Sequence, residues 1–227
     1  MSQSIAVIPA KSHSRRLPGK NLRLLGGIPL FLHSVRVALE SGRFDRVIFS
    51  SDSDEMLKIA AESGAEAVPR PRHLCNDTAT NFAVCQHVLE TCASPAGVDK
   101  VALLQPTHPF RTSEGLNAAL DLFDSHGEFD SLVAVKRNRR AMGILEADGH
   151  WRAQGNPGAL RVQSSAEMHE VTGHLFIVRP SRTILTGSML GSKVMGWELP
   201  AGWLDIDIDY EADFRLAAVA ASLFDRC

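Results

Sequence analysis

The chain carries no excess charge of either sign. Its 24 basic and 26 acidic residues leave a net charge of −2 at pH 7, with an isoelectric point near 6.5, so bulk charge gives it no means of coating nucleic acid or an anionic membrane. A small-molecule partner is expected, with no nucleic acid and no membrane. No apolar run reaches bilayer-spanning length, and the N-terminus enters a strand-like run without the basic region and apolar core of a secretory signal; a cytoplasmic location is expected. Cysteines 75, 85, 92 and 227 form no CxxC pair, which points to scattered reduced thiols over a disulfide framework or a zinc site. The nine histidines are equally dispersed, without metal-site spacing. Internal repeats and low-complexity tracts are missing. So are the two commonest phosphate-binding fingerprints: GxxxxGK[ST] has no match, and the first loop offers only Gly19 towards GxGxxG.

What the chain has instead is alternation. Strand-like apolar runs at Ser4 to Pro9, Arg46 to Ser51, Glu66 to Val68, Lys100 to Leu104 and Ser131 to Val135 interleave with amphipathic helical stretches at Pro29 to Ser41, Asp54 to Ser63, Asn81 to Cys92 and Ser113 to Ser125. Gly42 and Gly64 stand just past helix ends, where a left-handed cap is commonly needed. This pattern predicts an α/β fold with a doubly wound, mostly parallel sheet, and 227 residues suffice for one domain with a small subdomain. After Val135 the texture changes. Lys136 to Glu170 is polar, with Lys136, Arg137, Arg139 and Arg140 clustered and no sustained periodicity; a segment this long predicts an ordered arm rather than a passive loop. A strand at His174 to Val178, a short helix near Arg182 to Leu185, a strand at Lys193 to Glu198 and a closing helix at Tyr210 to Phe224 complete the reading.

Chemistry concentrates at four places. The first strand empties into Lys11-Ser12-His13-Ser14-Arg15-Arg16-Leu17-Pro18-Gly19-Lys20-Asn21, so four cations crowd one connection at the carboxyl end of a strand, where open α/β sheets bind ligands. Such a loop calls for a polyanion, a triphosphate for example. Near the other end, Asp205-Ile206-Asp207-Ile208-Asp209 alternates as a strand would, aspartates on one face and isoleucines on the other. Helix capping accounts for Asp209, Glu211 and Asp213, but not for Asp205 and Asp207; hard oxygen donors beside a phosphate loop are what Mg²⁺ requires. Leu103 to Arg111 leaves a central strand with Pro106 and Pro109 stiffening Gln105, Thr107 and Arg111, which suits either small-molecule recognition or a plain prolyl turn. Asn76 to Asn81 either caps the following helix or offers amide and hydroxyl groups to a nucleotide.

Taken together these pieces resemble the acylneuraminate cytidylyltransferases. The likeness rests on Pro9-Ala10-Lys11 through Ser14, Pro18, Lys20 and Asn21, on Phe44 to Ile48 with Ser51-Asp52, on Asp77-Thr78-Ala79, on Leu104-Gln105-Pro106-Thr107 with Pro109 and Arg111, and on Asp207-Ile208-Asp209 with Asp213. The resemblance implies a Rossmann-like nucleotidyltransferase fold over residues 1–227, with residues 136–170 as an inserted dimerisation and sugar-binding arm, a homodimer, and transfer of CMP from CTP to the anomeric hydroxyl of an acidic, sialic-acid-like sugar. It implies that Ala10, Lys11, Ser14, Arg15, Arg16, Lys20, Asn21, Asp77, Ala79 and Asn81 contact the nucleotide, that Lys11 and Lys20 act on the triphosphate, and that Asp207 and Asp209 hold Mg²⁺, one of them also taking the hydroxyl proton. Gln105, Thr107, Arg111, Arg161, Glu170 and Thr172 fall on the sugar side. Two positions depart from the family pattern. Lys11 replaces an Arg, keeping charge but losing the bidentate fork, and Glu170-Val171-Thr172-Gly173 stands where Arg-x-Asn-Gly is common, which favours another nonulosonic or deoxy-octulosonic acid or an amino-bearing acceptor. A different NTP, a sugar 1-phosphate, or an inactive nucleotide-binding relative are the competing readings.

Overall fold

The computed structural model describes residues 3–76, 78–92, 97–138, 143–153, 168–201 and 204–224. In chain order its elements are β1 (Gln3–Ala10), β2 (Leu24–Leu25), β3 (Ile28–Pro29), α1 (Leu30–Glu40), β4 (Arg46–Ser51), α2 (Asp54–Glu62), β5 (Glu66–Pro69), α3 (Asn81–Cys92), β6 (Val98–Leu103), α4 (Ser113–Asp124), β7 (Ser131–Asn138), β8 (Gly143–Leu145), β9 (Trp151–Ala153), β10 (Met168–Val178), β11 (Val194–Glu198) and α5 (Glu211–Phe224).

The unbroken apolar run of β1 makes it a central strand, because both of its faces are buried. Ile5 and Val7 enter one apolar cluster with Val88 and Leu89 of α3; Ala6 and Ile8 enter another with Phe31 and Val35 of α1, Met56 and Ala60 of α2, and Leu116 and Leu120 of α4. Each large side chain fully buried in this way stabilises the fold by about 1.5–3 kcal/mol. The main sheet runs β11-β7-β10-β6-β1-β4-β5. β1 is parallel to β4 on one side and β6 on the other, while β10 inserts antiparallel between β6 and β7. The chain therefore builds outward from β1 through β4 to β5 and then crosses back to β6. That reversal opens a crevice at the carboxyl ends of β1 and β6.

A third, smaller cluster matters most for the site. Leu17 from the basic loop and Leu25 and Leu30 from the ribbon β2–β3 and the start of α1 pack against Ile208, Phe214, Ala217 and Ala221. Arg23 reinforces it, forking onto Glu211 at 2.5 and 3.1 Å with its guanidinium 3.9 Å from the Phe214 ring centroid. Residues about 190 positions apart are thus clamped side by side.

Two expectations need correcting. Asp205 to Asp209 is extended but not a strand: its backbone is tied through Ile208 N–H donating to the Thr107 carbonyl at 2.9 Å, without a sheet ladder. The stretch from Lys136 to Glu170 is less irregular than its composition suggests, since β7 continues to Asn138, β8 and β9 form a hairpin, and β10 begins at Met168. There β7 and β10 pair Lys136 with Glu170, and cross-strand charge complementarity replaces the missing apolar alternation. Asp77, Arg139, Arg140 and Arg161 lie outside the described residues. Among those residues, no helix is long and apolar enough to cross a membrane.

Candidate active site

The basic loop is braced rather than loose. Asp52, at the end of β4, accepts from the Ser12 backbone N–H and from the Ser12 hydroxyl, both at 2.7 Å, and Asn21 Nδ2 donates to the Lys11 carbonyl at 2.9 Å. Burial pushes the Asp52 carboxyl up, but the two Ser12 hydrogen bonds, helped by the Arg70 charge, hold it below the usual range. Lys20 is only 9% exposed; its ammonium donates to the Ile208 carbonyl at 2.8 Å and to Asp209 Oδ1 at 3.1 Å. Arg16 takes the other carboxylate oxygen, with Nη1 2.8 Å from Asp209 Oδ2. The start of α5 holds Asp209 in place, since Asp213 accepts from the backbone N–H of both Asp209 and Tyr210.

Between loop and acidic segment lies a cleft of about 320 Å³, lined by Lys11, Arg16, Lys20 and Asn21 on one side, by Gln105, Pro106, Thr107, Asp207 and Asp209 on the other, and by Arg70, Asn76, Ala79 and Asn81 along its length. An adjoining hollow of about 360 Å³ adds Ser14 and Arg15 to Lys11, Arg16, Lys20 and Asn21. Ala10 is buried at the end of β1 beneath the loop. Asn76 folds back as an Asx turn, accepting from Thr78 and Ala79 N–H, and Thr80 caps α3 by accepting from Ala83 N–H. The segment both caps the helix and places Ala79 and Asn81 on the cleft wall. The Asn21 Oδ1 atom is buried and has no hydrogen-bond partner among the described residues, an acceptor of the kind that a ligand donor satisfies.

Asp207 faces the cleft, its side chain 55% exposed. Burial raises its pKa, repulsion from Asp209 and Asp205 adds to the rise, and the Thr107 hydroxyl and Lys20 oppose it. Two mutually repelling carboxylates are a hard-oxygen donor set that a divalent cation relieves. Among the described residues no group of three or more His, Cys, Asp or Glu is placed to hold a metal, so a cation here needs further oxygen ligands, as phosphates provide.

The sugar-side expectations divide. Gln105 and Thr107 line the cleft, but Arg111 turns inward. It is 6% exposed, and its guanidinium donates to the His174 carbonyl, to Ser34 Oγ at 2.9 Å and to the Gln105 carbonyl at 2.7 Å; burial brings it down to about 9, still charged at neutral pH. Thr172 is also buried, its hydroxyl donating to the Ala134 carbonyl and accepting from His174 N–H. Glu170 meets Lys136 at 3.1 Å, and Lys136 reaches on to Asp205 Oδ2 at 2.9 Å, so the acidic residue that departs from the family pattern shares one lysine with Asp205.

Four participants escaped the sequence reading. His108 is buried beside the acids, with Nδ1 3.1 Å from Thr107 Oγ1 and Nε2 3.5 Å from Asp205 Oδ1. His174 packs edge-on against it, with ring centroids 5.9 Å apart. Desolvation first, and then the Arg111 charge, lower His108 to about 3 and His174 to about 2, so both rings are neutral. Gly173 makes the arrangement possible: a Cβ there would lie 2.6 Å from His108 Cε1 and 3.0 Å from Gln105 Oε1. Arg70, whose Nη2 donates to the Ser50 carbonyl at 2.7 Å, joins the cleft from the end of β5. Dispersed histidines carry no local signal, but a proline-stiffened loop followed by His was a place to look.

A doubly wound sheet with cations at one strand end and carboxylates beside them has its charged groups gathered where open α/β sheets bind ligands. A family model for cytidylyltransferases matches residues 5–142, and the chain belongs to that family. It is 30% identical over 217 residues, 94% of its length, to an N-acylneuraminate cytidylyltransferase of Escherichia coli, covering 51% of that protein. It is 38% identical over 134 residues to a CMP-N,N'-diacetyllegionaminic acid synthase of Legionella pneumophila, covering 58% of this chain and 56% of that one. The chain thus spans about half the length of these curated relatives. A solved CMP:2-keto-3-deoxy-manno-octonic acid synthetase complexed with CTP superposes with a TM-score of 0.69 at 14% identity, covering 99% of each chain, which shows the shared fold.

Proposed function

We propose that the protein transfers CMP from CTP to the anomeric hydroxyl of a nonulosonic or related α-keto acid sugar and releases pyrophosphate. The observation that carries this reading is the cleft itself, a space of about 320 Å³ lined by the cations Lys11, Arg16 and Lys20 together with the carboxylates Asp207 and Asp209, two of the cations being ion-paired to Asp209. The names of the relatives supply the donor and the acceptor class. Catalysis of this kind rests on positioning and on neutralising phosphate charge. Lys11 and Lys20 bind the triphosphate and stabilise the departing pyrophosphate, Asn21 fixes the loop through Nδ2 and leaves its buried Oδ1 to accept from a ligand hydroxyl or amino group, and Ala79 and Asn81 border the nucleoside. Asp207 and Asp209 hold Mg²⁺, which when bound offsets charge on the phosphate oxygens. The acceptor oxygen forms a bond to the α-phosphorus as the bond to the β-phosphate oxygen breaks; the electron pair leaves with pyrophosphate, and the hydroxyl proton passes to Asp207, the more exposed carboxylate.

The acceptor sits on the Gln105 and Thr107 side, where Lys136, shared between Glu170 and Asp205, offsets part of their negative charge. We also assign a homodimer formed through the 136–170 arm, supported by the exposed Ile144, Leu145 and Trp151 of the β8–β9 hairpin; light scattering at micromolar concentration tests it, and a monomer contradicts it. The activity is tested by pyrophosphate release from each of the four NTPs with a panel of nonulosonic and deoxy-octulosonic acids, with products identified by mass. A CMP-sugar formed from CTP alone is expected. Release from another NTP, or with a sugar 1-phosphate only, overturns the assignment.

A further inference from the structure

Both oxygens of Asp209 are occupied by the protein's own cations: Oδ1 by Lys20 at 3.1 Å and Oδ2 by Arg16 at 2.8 Å. The two partners differ. The Lys20 side chain is 11% exposed and also bonded to the Ile208 carbonyl, whereas Arg16 is 54% exposed, and its only other ring contact among the described residues is a loose one, 5.6 Å from the Tyr210 centroid. Arg16 also lines both the cleft and the adjoining basic hollow, so a short swing takes its guanidinium from the carboxylate to an anion in either space. We propose that Arg16 is a coupling residue, which closes Asp209 to a divalent cation until the phosphates of a nucleotide draw it away, so that metal and nucleotide bind as a unit.

Arg16 and the cation compete for a single carboxylate. Among the described residues, only Asp207 of the pair presents oxygens not already ion-paired to an arginine or lysine, and one carboxylate holds a hard divalent cation weakly. Bringing that cation up to Asp209 places it against Arg16 and Lys20, like charges at close range. A triphosphate reverses both terms. It offers Arg16 a polyanion with better fork geometry than one carboxylate oxygen, and it brings extra oxygen ligands to the cation. Because linkage is reciprocal, the metal tightens nucleotide binding by the same factor as nucleotide tightens metal binding.

This rests on the cytidylyltransferase reading of the cleft, and the test separates the two. Mn²⁺ binding to the full chain is measured by the paramagnetic resonance signal of the free ion, with and without a saturating α,β-methylene analogue of CTP. For the nucleotide-free protein, Arg16→Gln is expected to tighten Mn²⁺ binding by about three- to fivefold, the size of removing one partly exposed ion pair. Arg16→Lys, which keeps the charge, is expected to retain most of the parent's weak binding. With the analogue present the advantage of Arg16→Gln should vanish. The coupling role is overturned if nucleotide-free Arg16→Gln binds Mn²⁺ no more tightly than the parent while the parent still binds the analogue. If the parent does not bind the analogue at all, the nucleotide reading of the cleft falls instead.

Discussion

Arg111 offers the sharpest division between a residue that builds the site and one that touches substrate. Replacing it by Met keeps the approximate length and removes a guanidinium that is almost fully buried and donates to the His174 carbonyl, Ser34 Oγ and the Gln105 carbonyl. Three acceptors then lose a charged donor, each such bond contributing about 1.5–3 kcal/mol when its partner is left unsatisfied. Relief of the desolvation cost of the buried charge offsets part of this, leaving a net loss of about 3–5 kcal/mol. For a chain of this size that corresponds to a fall in Tm of about 6–20 °C. Thermal unfolding followed by circular dichroism, with acceptor KM measured well below the new Tm, checks the outcome: a large stability loss and a modest change in KM. A Tm within about 2 °C of the parent, accompanied by an acceptor KM raised about tenfold or more, refutes the reasoning and returns Arg111 to the sugar subsite.

Other expectations follow from the same geometry. Gly173→Ala drives a methyl against His108 and Gln105 and should cost about 1–3 kcal/mol in urea unfolding; pairing it with His108→Ala should recover much of that loss, and additive losses would contradict the contact. His108 and His174 have folded pKa values of about 3 and about 2 against an ordinary 6.5, so the unfolded chain binds more protons between those values, and stability must fall as pH drops from about 6.5 towards 3. His108→Asn should flatten that acid limb, and an unchanged slope would argue that the ring is not held neutral. Asp209→Asn leaves Arg16 and the buried Lys20 facing an uncharged amide and weakens the cation site, so pyrophosphate release should fall on the order of 100-fold or more at saturating Mg²⁺, with some loss of stability from the buried ammonium left without its counter-charge; undiminished release removes Asp209 from the mechanism.

The middle of the sheet was legible because strands such as β1 and β4 are buried on both faces. Arg46 to Ser51 and Asn81 to Cys92 have the same bounds in sequence and structure, and Gly42 and Gly64 take the positive φ angles, 64° and 96°, expected past a helix end. Periodicity failed where a neighbour was needed. Asp205 to Asp209 alternates like a strand, but the edge of the sheet does not extend to it. The reach of β10 back to Met168 depends on pairing with β7, which a polar segment does not advertise. In the candidate site, the loop cations and the terminal aspartates could be singled out by density of charge. Their convergence depends on Leu17 and Ile208 sharing an apolar cluster, a contact between distant positions. The inward turn of Arg111, the neutral histidine pair and the Lys136–Glu170 pairing likewise arise from tertiary neighbours, and single residues of those types are usually exposed and unremarked.

Whether loop cations and terminal carboxylates form the two halves of one nucleotide site is read most directly from a crystal structure with CTP and Mn²⁺, using the anomalous signal of the metal. The expected result is a metal peak coordinated by Asp207 and Asp209, with the triphosphate running past Lys11 and Lys20 in the crevice between β1 and β6. A triphosphate bound elsewhere, or a metal peak on other residues, would overturn the assignment.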